Sequence, residues 1–130
     1  VVFVVFTIIF LVLAYSPTAE QLVTALPLLR AALLLGAMNA FNEEFALRGA
    51  PLSELDSPLG KAQALMITSV YFGLGHFYGI PNGIIGVLLS GFLGYFLGKS
   101  MLETNGFSWA WFIHFLPDVF IFYFLLALPV

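Results

Sequence analysis

The chain has 130 residues, of which 62% are hydrophobic and only 8% are Asp, Glu, Lys or Arg, and its mean hydropathy is +1.06. A water-soluble domain of this size has too little interior to hide so many apolar side chains, so the composition points to a bilayer as the solvent. A formal net charge of −3 offers no basic patch for nucleic acid, and the absence of cysteine excludes disulfides, thiolate catalysis and Cys-based metal sites.

Taken in order, Val1 to Tyr15 is apolar apart from Thr7 and reads as the remainder of a truncated span. The start at Val1 and the apolar end at Val130 read as a fragment of a longer polypeptide whose N-terminal part is missing. No basic stretch precedes the first run, so a signal peptide is a poor reading. Ser16 to Gln21 is a polar connection with Pro17. Leu22 to Ala50 is a long apolar segment that carries Arg30, Glu43, Glu44 and Arg48. Pro51 to Lys61 is the one aqueous stretch, with Glu54, Asp56 and Lys61. Ala62 to Phe77 is a third apolar segment, followed by a turn cluster from Tyr78 to Gly83. Ile84 to Met101 is a fourth span, Glu103 to Gly106 a second turn, and Phe107 to Val130 the last span. No segment alternates polar with apolar as a barrel strand would. The expected fold is therefore all-α: a polytopic transmembrane bundle of about five helices, with residues 1–130 forming a single transmembrane domain.

Gly86, Ser90, Gly94 and Gly98 recur every four residues, a spacing that lets helix backbones approach closely. Lys61 and Lys99 fall at span ends on one side, which the positive-inside rule makes cytoplasmic in a multi-pass cell-membrane protein. Trp109 and Trp111 suit an aromatic belt near that interface.

An ionisable side chain inside a span costs about 2.5–3.5 kcal/mol on insertion scales and is a functional hypothesis by default. Three of the seven acidic residues (Glu43, Glu44 and Asp118) and both histidines (His76 and His114) lie in apolar segments, with Arg48. Glu44 and Arg48 stand at i and i+4, the order that favours an ion pair, which can be purely structural. Glu43 points about 100° away from Glu44 on a helix and so lacks that partner. An apolar setting disfavours a carboxylate's charge and makes it a stronger base. His114 and Asp118 form a second i, i+4 pair, either an Asp orienting a His or a polar bridge between helices. His76 lies among Gly73, Gly75 and Gly79, which leave room for another backbone or a substrate. As an ensemble these groups can activate water: Glu43 takes its proton, His76 holds it, and His114 with Asp118 faces the substrate carbonyl. Ser69 and Ser90 sit in no nucleophile-elbow context.

These residues resemble the three signatures of the CPBP family, the CAAX proteases and bacteriocin-processing enzymes also called the ABI family. EExxxR appears as Glu43-Glu44-Phe45-Ala46-Leu47-Arg48, FxxxH as Phe72-Gly73-Leu74-Gly75-His76, and the third motif as His114-Phe115-Leu116-Pro117-Asp118. The resemblance spans about residues 41–123 and implies an all-helical membrane endopeptidase that uses glutamate, with no metal and no cofactor. It implies that Glu43 is the base, that Glu44 and Arg48 support it, that His76 positions the water, and that His114 with Asp118 forms the oxyanion site. The implied partners are the lipid bilayer and a peptide or protein substrate, either a prenylated C-terminus or a leader peptide. Position 118 departs from the better-known enzymes, which have Asn there. An ionised Asp cannot donate to an oxyanion. Either it is protonated, or it orients His114, or this member is weakly active.

Two other readings stay open on the residues alone. One is a metal-dependent membrane hydrolase, although no HExxH occurs. The other is a non-enzymatic membrane scaffold or bacteriocin-immunity protein that keeps the polar cluster to hold its helices together. Depth adds a constraint. His76 lies about 22 Å along an ideal helix from Lys61, and His114 about 12 Å from Gly106. A shared site needs helices that tilt, that start outside the bilayer, or that are distorted by the glycines around His76, and such a distortion is the expectation.

Overall fold

The computed structural model describes residues 1–128. The chain runs through α1 (Val2–Tyr15), α2 (Ala19–Thr24), a 3-10 turn (Leu26–Leu28), α3 (Leu29–Glu44), a π turn (Phe45–Gly49), α4 (Ala50–Leu59), α5 (Lys61–Gly75), α6 (Gly83–Thr104) and α7 (Ser108–Ala127). No strand occurs among the described residues, in line with the expected fold class. Because α3, the π turn and α4 run without a break over residues 29–59, the described chain makes six helical rods where about five were expected. Pro129 and Val130, the end of the expected last span, lie outside the described residues.

The chain divides into two compact units. The first is Val1–Ala40 with His114–Val130. Its α1 ends where Ser16 takes a left-handed φ of 44° and its N–H reaches the Val12 carbonyl. The following Pro17 cannot continue a helix. Thr18 then caps α2 through a reciprocal pair: its hydroxyl accepts from the Gln21 N–H, and its own N–H donates to Gln21 Oε1. Tyr123 Oη donates to the Leu22 carbonyl at 2.5 Å, satisfying an acceptor that the last turn of α2 leaves open. The expected single segment from Leu22 is thus broken at Leu26-Pro27-Leu28. Within α3, Ala32, Gly36 and Ala40 are buried at four-residue spacing.

The second unit is Phe41–Ile113. Here the structure corrects the expected aqueous stretch: Pro51 to Leu59 is helix, and only Gly60, at φ +84°, separates α4 from α5. The reason is a spacing that the polar residues mask. Leu52 and Leu55 fall on one face and pack on Ala64, Leu97, Met101 and Ala110, while Ser53 and Glu54 are exposed. The two prolines sit at the ends of this helix, Pro51 in its first turn and Pro58 in its last. The π turn falls just before Pro51, whose ring would meet the Leu47 carbonyl in a regular α-helix.

The small-residue stripe of α6 packs as its spacing implies at two positions. A Cβ on Gly94 would meet Phe72 at 3.0 Å, and one on Gly98 would meet Leu65 at 2.7 Å. Gly91, outside the stripe, faces Gly73, where a Cβ on Gly73 would stand 3.1 Å from the Gly91 Cα. The helices α6 and α7 are long and apolar enough to cross a membrane, while α1 is apolar but shorter. The outer faces are as apolar as the core. Met66, Ile67, Val70, Tyr71 and Leu74 are exposed along one side of α5, and Ile84, Ile85, Leu88, Phe92 and Phe96 along α6. Such faces suit lipid and are poorly matched to water.

Candidate active site

The second unit builds its polar cluster from the end of α3, the π turn and the end of α5. Glu44 and Arg48 are both fully buried, and Arg48 Nη1 donates to Glu44 Oε1 across the π turn. The guanidinium carbon lies 3.5 Å from the centre of the Phe72 ring, so a cation–π contact adds to the ion pair. Gly94 makes this stack possible. A Cβ there would stand 3.0 Å from Phe72 Cδ1 and 3.5 Å from Arg48 Nη2.

Phe72 also organises His76, one turn further along α5. The two rings are 4.3 Å apart, and the Phe72 carbonyl accepts a hydrogen bond from His76 Nδ1 at 2.9 Å. A carbonyl can only accept, so this contact places a proton on Nδ1 and turns Nε2 outward. Nε2 faces Glu43 Oε2 at 3.6 Å. Glu43 and His76 keep 24% and 21% of their side-chain surface exposed, whereas Glu44 and Arg48 keep none. Adjacent glutamates thus meet opposite surroundings. One is closed into an ion pair, and the other, partly exposed as a side chain, turns a buried Oε2 toward an imidazole.

Helix α5 ends just before His76 in a tightened last turn. The His76 and Phe77 N–H groups bond to the Gly73 and Leu74 carbonyls, three residues back, and the helix stops. Two hydroxyls of α5 are committed to the backbone: Ser69, which sits in no nucleophile-elbow context, donates to the Leu65 carbonyl at 2.6 Å, and Thr68 to that of Ala64 at 3.0 Å.

The first unit holds the third motif. His114 Nε2 lies 3.6 Å from Asp118 Oδ1 on α7, and both residues are buried. Asp118 Oδ2 accepts from Asn39 Nδ2 at 3.1 Å. Asn39 escaped the sequence reading, because a lone amide among apolar residues matches no motif. Its one legible signal is that it follows Gly36 by three residues, on the same helix face. The six expected site residues therefore pair as Glu43 with His76, Glu44 with Arg48, and His114 with Asp118. Among the described residues, no three His, Asp or Glu side chains gather as metal ligands would.

Comparison with known proteins gives one match. The family model described as type II CAAX prenyl endopeptidase Rce1-like matches residues 24–120. That stretch contains all six expected site residues together with Asn39, Phe72 and Gly94. No curated protein and no solved structure matches.

Proposed function

This chain belongs to the Rce1-like family of type II CAAX prenyl endopeptidases, and from that premise we propose that it is an intramembrane endopeptidase in which Glu43 activates the attacking water. The observation that carries this reading is the Glu43–His76 pair. With Nδ1–H committed to the Phe72 carbonyl, a neutral His76 offers only a lone pair at Nε2. An ionised Glu43 also only accepts. Two acceptors 3.6 Å apart repel unless a donor lies between them, and that separation is longer than a direct hydrogen bond. A water molecule has two O–H groups. Donating one to each side chain, at about 2.8 Å apiece, it would span the pair at an angle of about 80°.

The chemistry follows in two steps. Glu43 takes one proton as the water oxygen bonds to the scissile carbonyl carbon, and His76 keeps the oxygen lone pair aimed. The C–N bond then breaks, and Glu43 returns the proton to the departing amine. His114 and Asp118 take the role their motif implies, toward the carbonyl oxygen. The closed Glu44–Arg48 pair holds the turn that carries Glu43. The same reading makes this a multi-pass membrane protein with Lys61 and Lys99 on the cytoplasmic side.

The test is proteolysis in proteoliposomes. The probe is a peptide ending in a farnesylated Cys, two aliphatic residues and a terminal residue, with products read by mass spectrometry. The protein should release the last three residues, and Glu43→Gln should release none while folding as the parent does. Full activity in Glu43→Gln would end this assignment. A chain that folds, cleaves nothing and is destabilised only by loss of Glu44 or Arg48 would instead be a scaffold.

A further inference from the structure

Asn39 has no part in the chemistry described so far, yet it donates a hydrogen bond to Asp118 at 3.1 Å. A carboxylate only accepts, so the amide nitrogen of Asn39 is the end that faces it. The backbone is arranged for this contact. One turn earlier, a Cβ on Gly36 would stand 3.0 Å from the Val119 nitrogen and 3.3 Å from the Asp118 carbonyl carbon. Glycine at 36 therefore lets α3 lie against α7 at the level of Asp118, and Asn39 projects from the same face three residues on.

We infer that Asn39 is a positioning residue for His114, acting through Asp118. A carboxylate can rotate and has two equivalent oxygens. Anchored at Oδ2 by Asn39, that of Asp118 presents Oδ1 to His114 Nε2, 3.6 Å away. That separation is longer than a direct hydrogen bond, so the carboxylate acts on the ring through its charge, which favours the tautomer that turns an N–H toward it. Asn39 thus holds His114 in one ring orientation with Nε2–H toward Asp118, so that a proton taken up at Nδ1 points away from the carboxylate and supplies the donor an oxyanion needs. On this inference Asp118 orients its histidine, one of the three options that the departure at position 118 leaves. The functional consequence rests on the proposed role of His114 in hydrolysis.

The experiment is a double-mutant cycle with the farnesylated peptide as probe. Asn39→Leu should lower kcat about tenfold and leave KM within about twofold. In an Asp118→Ala background the same substitution should change kcat by less than about twofold. Equal losses in both backgrounds would overturn the inference. If Asn39→Leu does not fold, Asn39→Ala carries the same expectation. A second readout needs no activity. The chain has two histidines, so His76→Gln leaves His114 as the one ring signal in protein labelled with 15N-histidine. Its nitrogen shifts should report a proton on Nε2, and Asn39→Leu should mix the tautomers. An unchanged spectrum would overturn the inference even if the protein proved inactive on the peptide, which would by itself count only against the proposed function.

Discussion

Glu43 and Glu44 are chemically identical neighbours, and the chain gives them opposite fates. Glu44 is sealed against Arg48 under the Phe72 ring, with no exposed side-chain surface. Glu43 turns the other way, keeps about a quarter of its side chain exposed and meets His76 Nε2. On the proposed mechanism, the second glutamate is structural and the first is reactive. Two carboxylates in one site tend to couple, and an arginine that satisfies one of them lets the two take different roles.

The sharpest way to break this comparison is to neutralise each glutamate in turn. Glu43→Gln should lower the cleavage rate about a thousandfold or more, with the thermal midpoint in detergent unchanged. Arg48→Ala should do the reverse first: it strands a buried carboxylate and should cost about 3–5 kcal/mol of stability, read by thermal or denaturant unfolding. Any loss of activity there should follow the loss of folded protein. Gly94→Ala pushes a methyl toward Phe72 and Arg48 and should cost about 1–3 kcal/mol, measured in the same assay. Phe72→Leu keeps the carbonyl that orients His76 but removes the ring under the guanidinium. It should cost about 1 kcal/mol of stability, with the peptide KM little changed. The smallest effect is expected from a chelator: incubation with EDTA should alter the cleavage rate less than about twofold, because no step uses a metal. Complete inactivation, restored by added zinc, would replace the glutamate mechanism with a metal one.

Much of the site was legible because its residues are anomalous where they stand. A charged group in an apolar segment is conspicuous, and i, i+4 spacing already pairs Glu44 with Arg48 and His114 with Asp118. The role of Phe72 was not legible. A phenylalanine among fifteen carries no mark that its ring will underlie an arginine or that its carbonyl will take a histidine proton. Helix α4 was misread because Ser53, Glu54, Asp56 and two prolines look aqueous, while the Leu52 and Leu55 spacing that buries it is brief. The π turn was hidden for a related reason: Pro51 signals a local break, and whether the helix ends or widens there depends on what it packs against. The stripe Ala32, Gly36 and Ala40 follows the same four-residue rule as the one in α6, but its alanines do not stand out in a segment rich in them. Asn39 became visible only once that stripe had brought its helix face against Asp118.

The central claim is that Glu43 and His76 hold one water between them, and an experimental structure that resolves ordered solvent in the resting protein tests it most directly. One water within about 3.2 Å of both Glu43 Oε2 and His76 Nε2 is the expected result. An active protein in which those two atoms instead close into a direct hydrogen bond, with water bound to neither, would contradict it.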